Sequence, residues 1–558
     1  MSDNRFCITR SAARVIATAI AVAPLSLSLS ANAAPLKKQT TVTQPSWDGV
    51  YVGVGVGSRS TQTTANVTDQ KNDGVSTFAQ SCATLAQLAG FGGCLSNTPL
   101  NNTDFRFSPY VGFNWQFARQ WVAGIEGDWG SGNKTTTLGG MLYPINGQVT
   151  TAANETFTVR TTWDASVRAR IGFLVDPSIM LYATGGAAWL RMSSTSTCNT
   201  KLNGTCSPML GAGPFIITNE TTKTGWTAGG GVEAMLGYNW IVRGEYRYAD
   251  FGTVSQTDNR LIVGGASLRT TSYDLRMTTH TATVGLAYKF GGERRVTEVG
   301  AAQASASGDW GGPYIGLGLG ARATTADAGV TSFRRGNSNT FAQTCAVNSS
   351  SAGCIDSQPL NDIAFRINPY AGFNWQVARQ WVLGIEGDFG FADRTTTLEG
   401  MNYPFNSFSI QTARPLDKFS VRTTWDASLR GRVGFVANPT VMVYATGGPA
   451  WMHIESTSTC STGANALCAP ASAVGPLTIT HATNKLGWTA GGGVEGKLWS
   501  NWIARAEYRY ADFGTINNYD VRTGGLGMTA TYDVKVKSHL ATLGLAYKFD
   551  WGRAAVTR

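Results

Sequence analysis

Charged residues recur at every second position of otherwise apolar stretches in this chain. In residues 159–173 (VRTTWDASVRARIGF), Arg160, Thr162, Asp164, Ser166, Arg168 and Arg170 alternate with Val159, Thr161, Trp163, Ala165, Val167, Ala169, Ile171 and Phe173. A near-copy, VRTTWDASLRGRVGF, occupies residues 421–435. Carboxylates held close together can do acid–base chemistry, whereas carboxylates interleaved with arginines at matched numbers pair with one another instead. The same parity on neighbouring stretches collects Glu126, Asp128, Arg160, Asp164, Arg168, Arg170, Glu233, Arg243, Glu245, Arg247 and Lys289 on one face. In the second half it collects Glu386, Asp388, Arg422, Asp426, Arg430, Arg432, Glu495, Arg505, Glu507, Arg509 and Lys548. The first set holds six cations and five carboxylates, a near balance that favours mutual pairing over catalysis.

Other reactive residues are few. Beyond residue 33 the histidines are His280, His453, His481 and His539, and no G-x-S-x-G, H-E-x-x-H or phosphate-loop pattern occurs. A membrane hydrolase built on these histidines is the enzyme alternative, and the expectation is that the protein is not an enzyme and needs no cofactor or metal. Eight of the nine cysteines form close pairs in Gly-, Ser-, Thr- and Asn-rich segments: Cys82 with Cys94, Cys198 with Cys206, Cys345 with Cys354, and Cys460 with Cys468. Local disulfides closing loops in an oxidising compartment are expected, since the spacings are not those of zinc sites. The net charge of +10 is spread along the chain, and no basic block with interleaved aromatics points to nucleic acid.

Period-two alternation over some fifteen residues requires long β-strands. A soluble sandwich also alternates, but its strands are usually about 5 to 6 residues, whereas a tilted strand crosses a bilayer in about 9 to 11. An antiparallel transmembrane barrel with lipid outside and charge inside accounts for both pattern and length. The amino terminus agrees: Arg5, Arg10 and Arg14 precede an apolar run and Ala31-Asn32-Ala33, the layout of a signal peptide cleaved after residue 33, with a retained anchor as the alternative.

The second half of the chain repeats the first. YVGFNWQFARQWVAGIEGDWG at Tyr110 returns as YAGFNWQVARQWVLGIEGDFG at Tyr370, and ATVGLAYKF at Ala282 as ATLGLAYKF at Ala541. The organisation expected is a signal peptide (1–33), a periplasmic linker (34–46), a first barrel repeat (47–290), a periplasmic linker (291–309), a second repeat (310–549) and a tail (550–558). The first repeat offers eight strands, near residues 47–59, 105–117, 121–133, 156–175, 180–193, 224–236, 240–253 and 273–290. Tight turns at 118–120, 176–178 and 237–239 alternate with long, cysteine-bearing loops, as periplasmic turns alternate with external loops in such barrels.

The parity sends Trp121, Ala123, Ile125, Trp129, Trp240, Val242, Tyr246 and Tyr248 to lipid, their rings forming interfacial girdles rather than ligand platforms. The Gly-rich runs at Gly53 and Ala228 follow strand periodicity and have no succeeding helix, so they are packing positions. Eight strands enclose an interior only just wide enough for side chains. A structural plug of paired charges is therefore expected, with a narrow charged ion path as the alternative.

The motifs resemble a known family. Trp47-Asp48-Gly49-Val50-Tyr51-Val52-Gly53 and Trp310-Gly311-Gly312-Pro313-Tyr314-Ile315-Gly316 are followed by Gly-Ile-Glu-Gly-Asp at 124–128 and 384–388. Tyr-Ala-Thr-Gly-Gly comes next at 182–186 and 444–448, then Glu-Tyr-Arg-Tyr at 245–248 and 507–510, and Tyr-Lys-Phe at 288–290 and 547–549. In that order they are similar to the small eight-stranded outer-membrane proteins of alphaproteobacteria, the RopB type, akin to the membrane domain of OmpA. The resemblance implies an outer-membrane location amid lipid and lipopolysaccharide, insertion by the barrel-assembly machinery, and roles in envelope integrity and surface exposure. Host or environmental ligands would meet the external loops, as they would on an adhesin. Family members usually carry one unit, so duplication leaves two architectures: tandem eight-stranded barrels, the expectation, or one sixteen-stranded barrel acting as a general diffusion porin.

Overall fold

The computed structural model describes residues 40–44, 46–77, 79, 98–139, 156–198, 215–236, 239–261, 268–291, 294–298, 309–335, 338–339, 358–399, 418–460, 477–498, 501–522 and 528–550. The first repeat forms β1 (Gly49–Asn72), β2 (Asn102–Trp115), β3 (Trp121–Gly139), β4 (Thr156–Asp176), β5 (Ile179–Cys198), β6 (Phe215–Met235), β7 (Trp240–Leu261) and β8 (Leu268–Lys289). The second forms β9 (Gly312–Arg335), β10 (Asp362–Ala378), β11 (Trp381–Glu399), β12 (Lys418–Asn438), β13 (Val441–Cys460), β14 (Leu477–Lys497), β15 (Trp502–Arg522) and β16 (Met528–Lys548).

Each strand pairs antiparallel with its neighbours in sequence, and each repeat closes on itself. Val54 of β1 lies opposite Leu286 of β8, and Leu317 of β9 lies opposite Leu545 of β16. These closures exclude the sixteen-stranded alternative: the chain is two up-and-down eight-stranded rings, as expected. Closure removes the unpaired strand edges that lipid cannot solvate. The two segments read as linkers also pair, Thr40–Gln44 running antiparallel to Arg294–Glu298.

Around the lower part of each ring, toward the short turns, the usual distribution of a soluble protein is inverted. Ile125 on the outer face is 55% exposed, while Arg168 on the inner face is 1% exposed. Val50, Val52, Val54, Val56, Val111, Phe113, Val167 and Ile171 continue the apolar outer belt. Water would penalise such a belt by roughly 25 cal/mol per Å² of apolar surface, so it belongs in hydrocarbon.

Toward the long loops the distribution reverses, and the expected strands end too early. On β4, Thr161 lies opposite Met192 while Asp164 lies opposite Leu190, so one extra residue is inserted at Thr162–Trp163. This bulge swaps the faces: Phe157 and Val159 are buried inside, and Arg160 is exposed outside. On β7 the swap occurs at Gly252, whose φ of 67° is left-handed and whose N–H donates to Asp250 Oδ1 at 2.7 Å. Phe251 and Val254 then both lie inside. Beyond these bulges the outer surface carries hydroxyl pairs, Thr137 with Thr158 at 3.1 Å and Thr195 with Thr218 at 3.0 Å. The interior there is Leu138, Leu190, Met192, Leu275 and Met277. The upper third of each ring is therefore built like a soluble barrel.

Candidate functional site

The lumen of the lower ring holds the charges. In the first repeat Arg59, Arg106, Arg168, Arg170, Arg243 and Arg247 face Asp104, Glu126, Asp128, Asp164, Glu233 and Glu245, all buried. Glu126 accepts from Arg168 and Arg243, and from Tyr51 Oη at 2.7 Å. Asp128 accepts from Arg106, from Ser166 and from Arg247 at 2.8 Å. Asp164 accepts from Arg106 Nε and Nη2, and from Arg59 Nη1 at 2.7 Å. Glu245 joins Arg168 and Arg247, each at 3.1 Å, and Tyr182 Oη at 2.7 Å. Arg170 lies 2.8 Å from Glu233, and Arg59 lies 2.8 Å from Asp104. Arg243 also stacks over Tyr110, its guanidinium carbon 3.6 Å from the ring centroid. Gly130 leaves the space that the Arg106 guanidinium fills, where a Cβ would overlap it.

The second repeat rebuilds this network from Arg322, Arg366, Arg430, Arg432, Arg505 and Arg509 with Glu386, Asp388, Asp426, Glu495 and Glu507. One partner differs. Ala364 stands where the first repeat has Asp104, and Arg322 keeps the donations to the carbonyl oxygen of Ala392 and to Thr423 Oγ1 that Arg59 makes to Gly132 and Thr161.

Ten of the eleven residues expected in each lumen set lie in these networks or, for Lys289 and Lys548, at the ring's short-turn mouth. Lys289 donates to the carbonyl oxygen of Asp48 at 3.3 Å, and Lys548 lies 4.0 Å from Asp309. Arg160 and Arg422 are corrected: they sit on the outer surface beyond the bulge, Arg160 on Asn133 and Arg422 on Asp393 and Glu455. Strict alternation through residues 162–163 put them inside. Arg59, Asp104 and Arg106, with the tyrosines that thread the network, were missed. Continuing the Tyr51-Gly53-Gly55-Gly57 face by one step reaches Arg59, and Arg106 shares parity with Tyr110.

Apolar layers close the network above and below. Toward the short turns lie Trp47, Val122, Leu174, Met180, Met235 and Ile241, with Trp47 fully buried and its indole N–H donating to the Pro177 carbonyl at 3.0 Å. Toward the long loops lies the Phe157, Leu190 and Met277 layer. Inside the first ring, a cavity lined by Asp164, Ser166, Arg247 and Thr279 measures about 10 Å³, about the space for one water. A larger cleft of about 1100 Å³ lies between the rings, lined by Leu181, Tyr246, His280, Leu317, Phe365 and Leu543.

Among the described residues His280, His453 and His539 meet aromatic and amide partners, and His453 Nε2 also lies 3.3 Å from Glu455 Oε1. His280 meets Tyr246 and His539 meets Tyr508, each Oη to Nδ1 at 2.7 Å. His453 stacks on Trp425 and meets Asn484 at 2.6 Å. Among the described residues no group of three His, Cys, Asp or Glu side chains is placed to hold a metal. Cys82, Cys94, Cys206, Cys345, Cys354 and Cys468 lie outside the described residues, and Cys198 and Cys460 are the last residues of β5 and β13.

A family model described as "Outer membrane protein beta-barrel domain" matches residues 20–290 and again 297–549. The 31 kDa outer-membrane immunogenic protein of Brucella melitensis biotype 1 is 33% identical over 179 residues, 32% of this chain and 64% of the relative. A 22 kDa outer membrane protein of Rhizobium leguminosarum bv. viciae is 27% identical over 180 residues, 32% of this chain and 64% of the relative. The chain thus spans less than two thirds of the length of these relatives. Among solved structures, Ail, the attachment invasion locus protein of Yersinia pestis, is 13% identical, covering 43% of this chain and 99% of its own, with a TM-score of 0.20. A Pseudomonas aeruginosa FadL homologue is 10% identical, covering 90% of this chain and 91% of its own, with a TM-score of 0.25. At those scores the architecture rests on the strand pairing itself. The inverted exposure, the two closed rings and the two family matches converge: this is an outer-membrane protein, and the chain belongs to the outer-membrane β-barrel family, whose domain it carries twice.

Proposed function

We propose that the protein is a structural and surface component of the outer membrane, two plugged barrels that display long loops, rather than a diffusion channel or an enzyme. The sealed lumen carries this reading. A permeating ion would have to cross an apolar layer, a lattice of buried, mutually paired arginines and carboxylates, and a second apolar layer. The lattice itself stiffens the ring. Each carboxylate removed from it strands arginines in a medium of low dielectric, which costs several kcal/mol.

In this reading the short turns face the periplasm and the polar upper third projects outward, carrying the loops beyond lipopolysaccharide. The cysteine pairs close those loops as disulfides, and the barrel-assembly machinery inserts the two rings. The Brucella relative is named for being immunogenic, which accords with loops reached from outside. Planar-bilayer recording of the purified protein is the test. The expected result is no stable large-conductance state, and a steady open channel from wild-type protein would defeat the plug.

A further inference from the structure

Not every outward-facing apolar residue of the lower rings is exposed. Ile179, Val232, Ala234 and Val242 of the first repeat, and Val441, Val494 and Ala506 of the second, point away from their lumens by parity yet are at most 8% exposed, and they form one cluster. Elsewhere on the same belt Ile125 and Val167 are 55% and 48% exposed. The second ring covers the first along this strip.

The contacts pair equivalent positions. The repeats are offset by about 260 residues, and three contacts along the strip join a residue to its own counterpart. At the short-turn end Ser178 Oγ lies 3.0 Å from Thr440 Oγ1. At mid-height Gly244 faces Ala506 so closely that a Cβ on Gly244 would overlap that of Ala506. Toward the long loops Asn101 Nδ2 donates to the Asn361 carbonyl at 2.7 Å, and Asn361 Nδ2 donates to the Asn101 carbonyl at 2.6 Å. Both asparagines are tied to their own rings in the same way, accepting from the backbone N–H of Thr63 and of Ala326. Self-complementary pairing of this kind defines a two-fold interface. Small residues at its centre and polar pairs at its ends are the means by which membrane segments pack without a hydrophobic drive.

We infer that this strip is a homotypic docking surface whose partner is a second barrel of the same type, so that the chain is a covalently tethered dimer. Two barrels joined only by a linker would meet at unrelated positions, and their outward Val and Ile residues would remain in lipid. The seam holds the rings independently of the segment between them.

The test uses the full chain. In the S178C/T440C variant, mild oxidation is expected to form a disulfide between the two repeats in nearly all molecules, mapped by mass spectrometry. A pair at positions facing away from the strip, V167C with L429C, is expected to stay unlinked. In a second variant a specific protease site replaces residues 301–306. After cleavage the two halves are expected to co-elute on size exclusion in mild detergent, and adding Gly244→Trp to wedge the seam is expected to abolish co-elution. Heat-modifiable migration of each half reports that the rings remain folded. Absence of the 178–440 disulfide, or separation of folded halves without the wedge, would overturn the proposal.

Discussion

Arg160 and Arg168 stand eight positions apart on one strand, and their surroundings differ entirely. Arg168 is 1% exposed and bridges Glu126 and Glu245. Removing it as Arg168→Ala leaves two buried carboxylates short of a partner. A loss of about 3–5 kcal/mol is expected, read as a lower urea midpoint for the folded barrel in lipid vesicles. Arg160→Ala removes an exposed guanidinium from Asn133, and the midpoint is expected not to move. Glu126→Gln makes the converse case. It takes one carboxylate from Arg168, Arg170 and Arg243 together, so its cost should match or exceed that of Arg168→Ala in the same assay. Most members of the lattice were legible from charge at alternate positions alone. Arg59 was not, because it stands as a single charge among glycine, valine, serine and threonine, and Arg106 has only Asp104 beside it on its face.

At the scale of the strand, the bulge governs what can be read. Alternation identifies all eight strands of a repeat because lipid outside and charge inside impose a two-residue period. It ends several strands early, β1 at Arg59 rather than Asn72 and β7 at Thr253 rather than Leu261. Past the hydrocarbon the outer face turns polar and the inner face apolar, and the extra residue at Thr162–Trp163 or the turn at Gly252 hides the switch from strict parity. Two outcomes follow. Gly252→Ala and Gly514→Ala force a side chain into the left-handed region, at an expected cost of about 1–2 kcal/mol each in the same unfolding assay. Ile171→Arg sets a charge on the belt, with an expected loss of up to about 2–4 kcal/mol. Thr158→Arg, on the outer face beyond the bulge, is expected to leave stability unchanged. Equal losses at 158 and 171 would mean that the belt extends past the bulge.

For the whole molecule, duplication was plain in the sequence, whereas ring size was not. Two units with similar strands, matched charge sets and a Tyr-Lys-Phe end can close separately or together, because the local pattern of a strand does not state which strand it meets. The pairing of β1 with β8 and of β9 with β16 decides it, and the sealed lumens depend on that closure. A sixteen-stranded ring would pull the two lattices apart and open a water-filled pore. The most direct measurement is therefore site-specific cross-linking across the closing seam in native-like membranes. V54C/L286C, opposite each other on β1 and β8, is expected to form a disulfide, and V54C/L545C is expected to form none. A link from residue 54 to residue 545, with none to residue 286, would contradict the two-ring account.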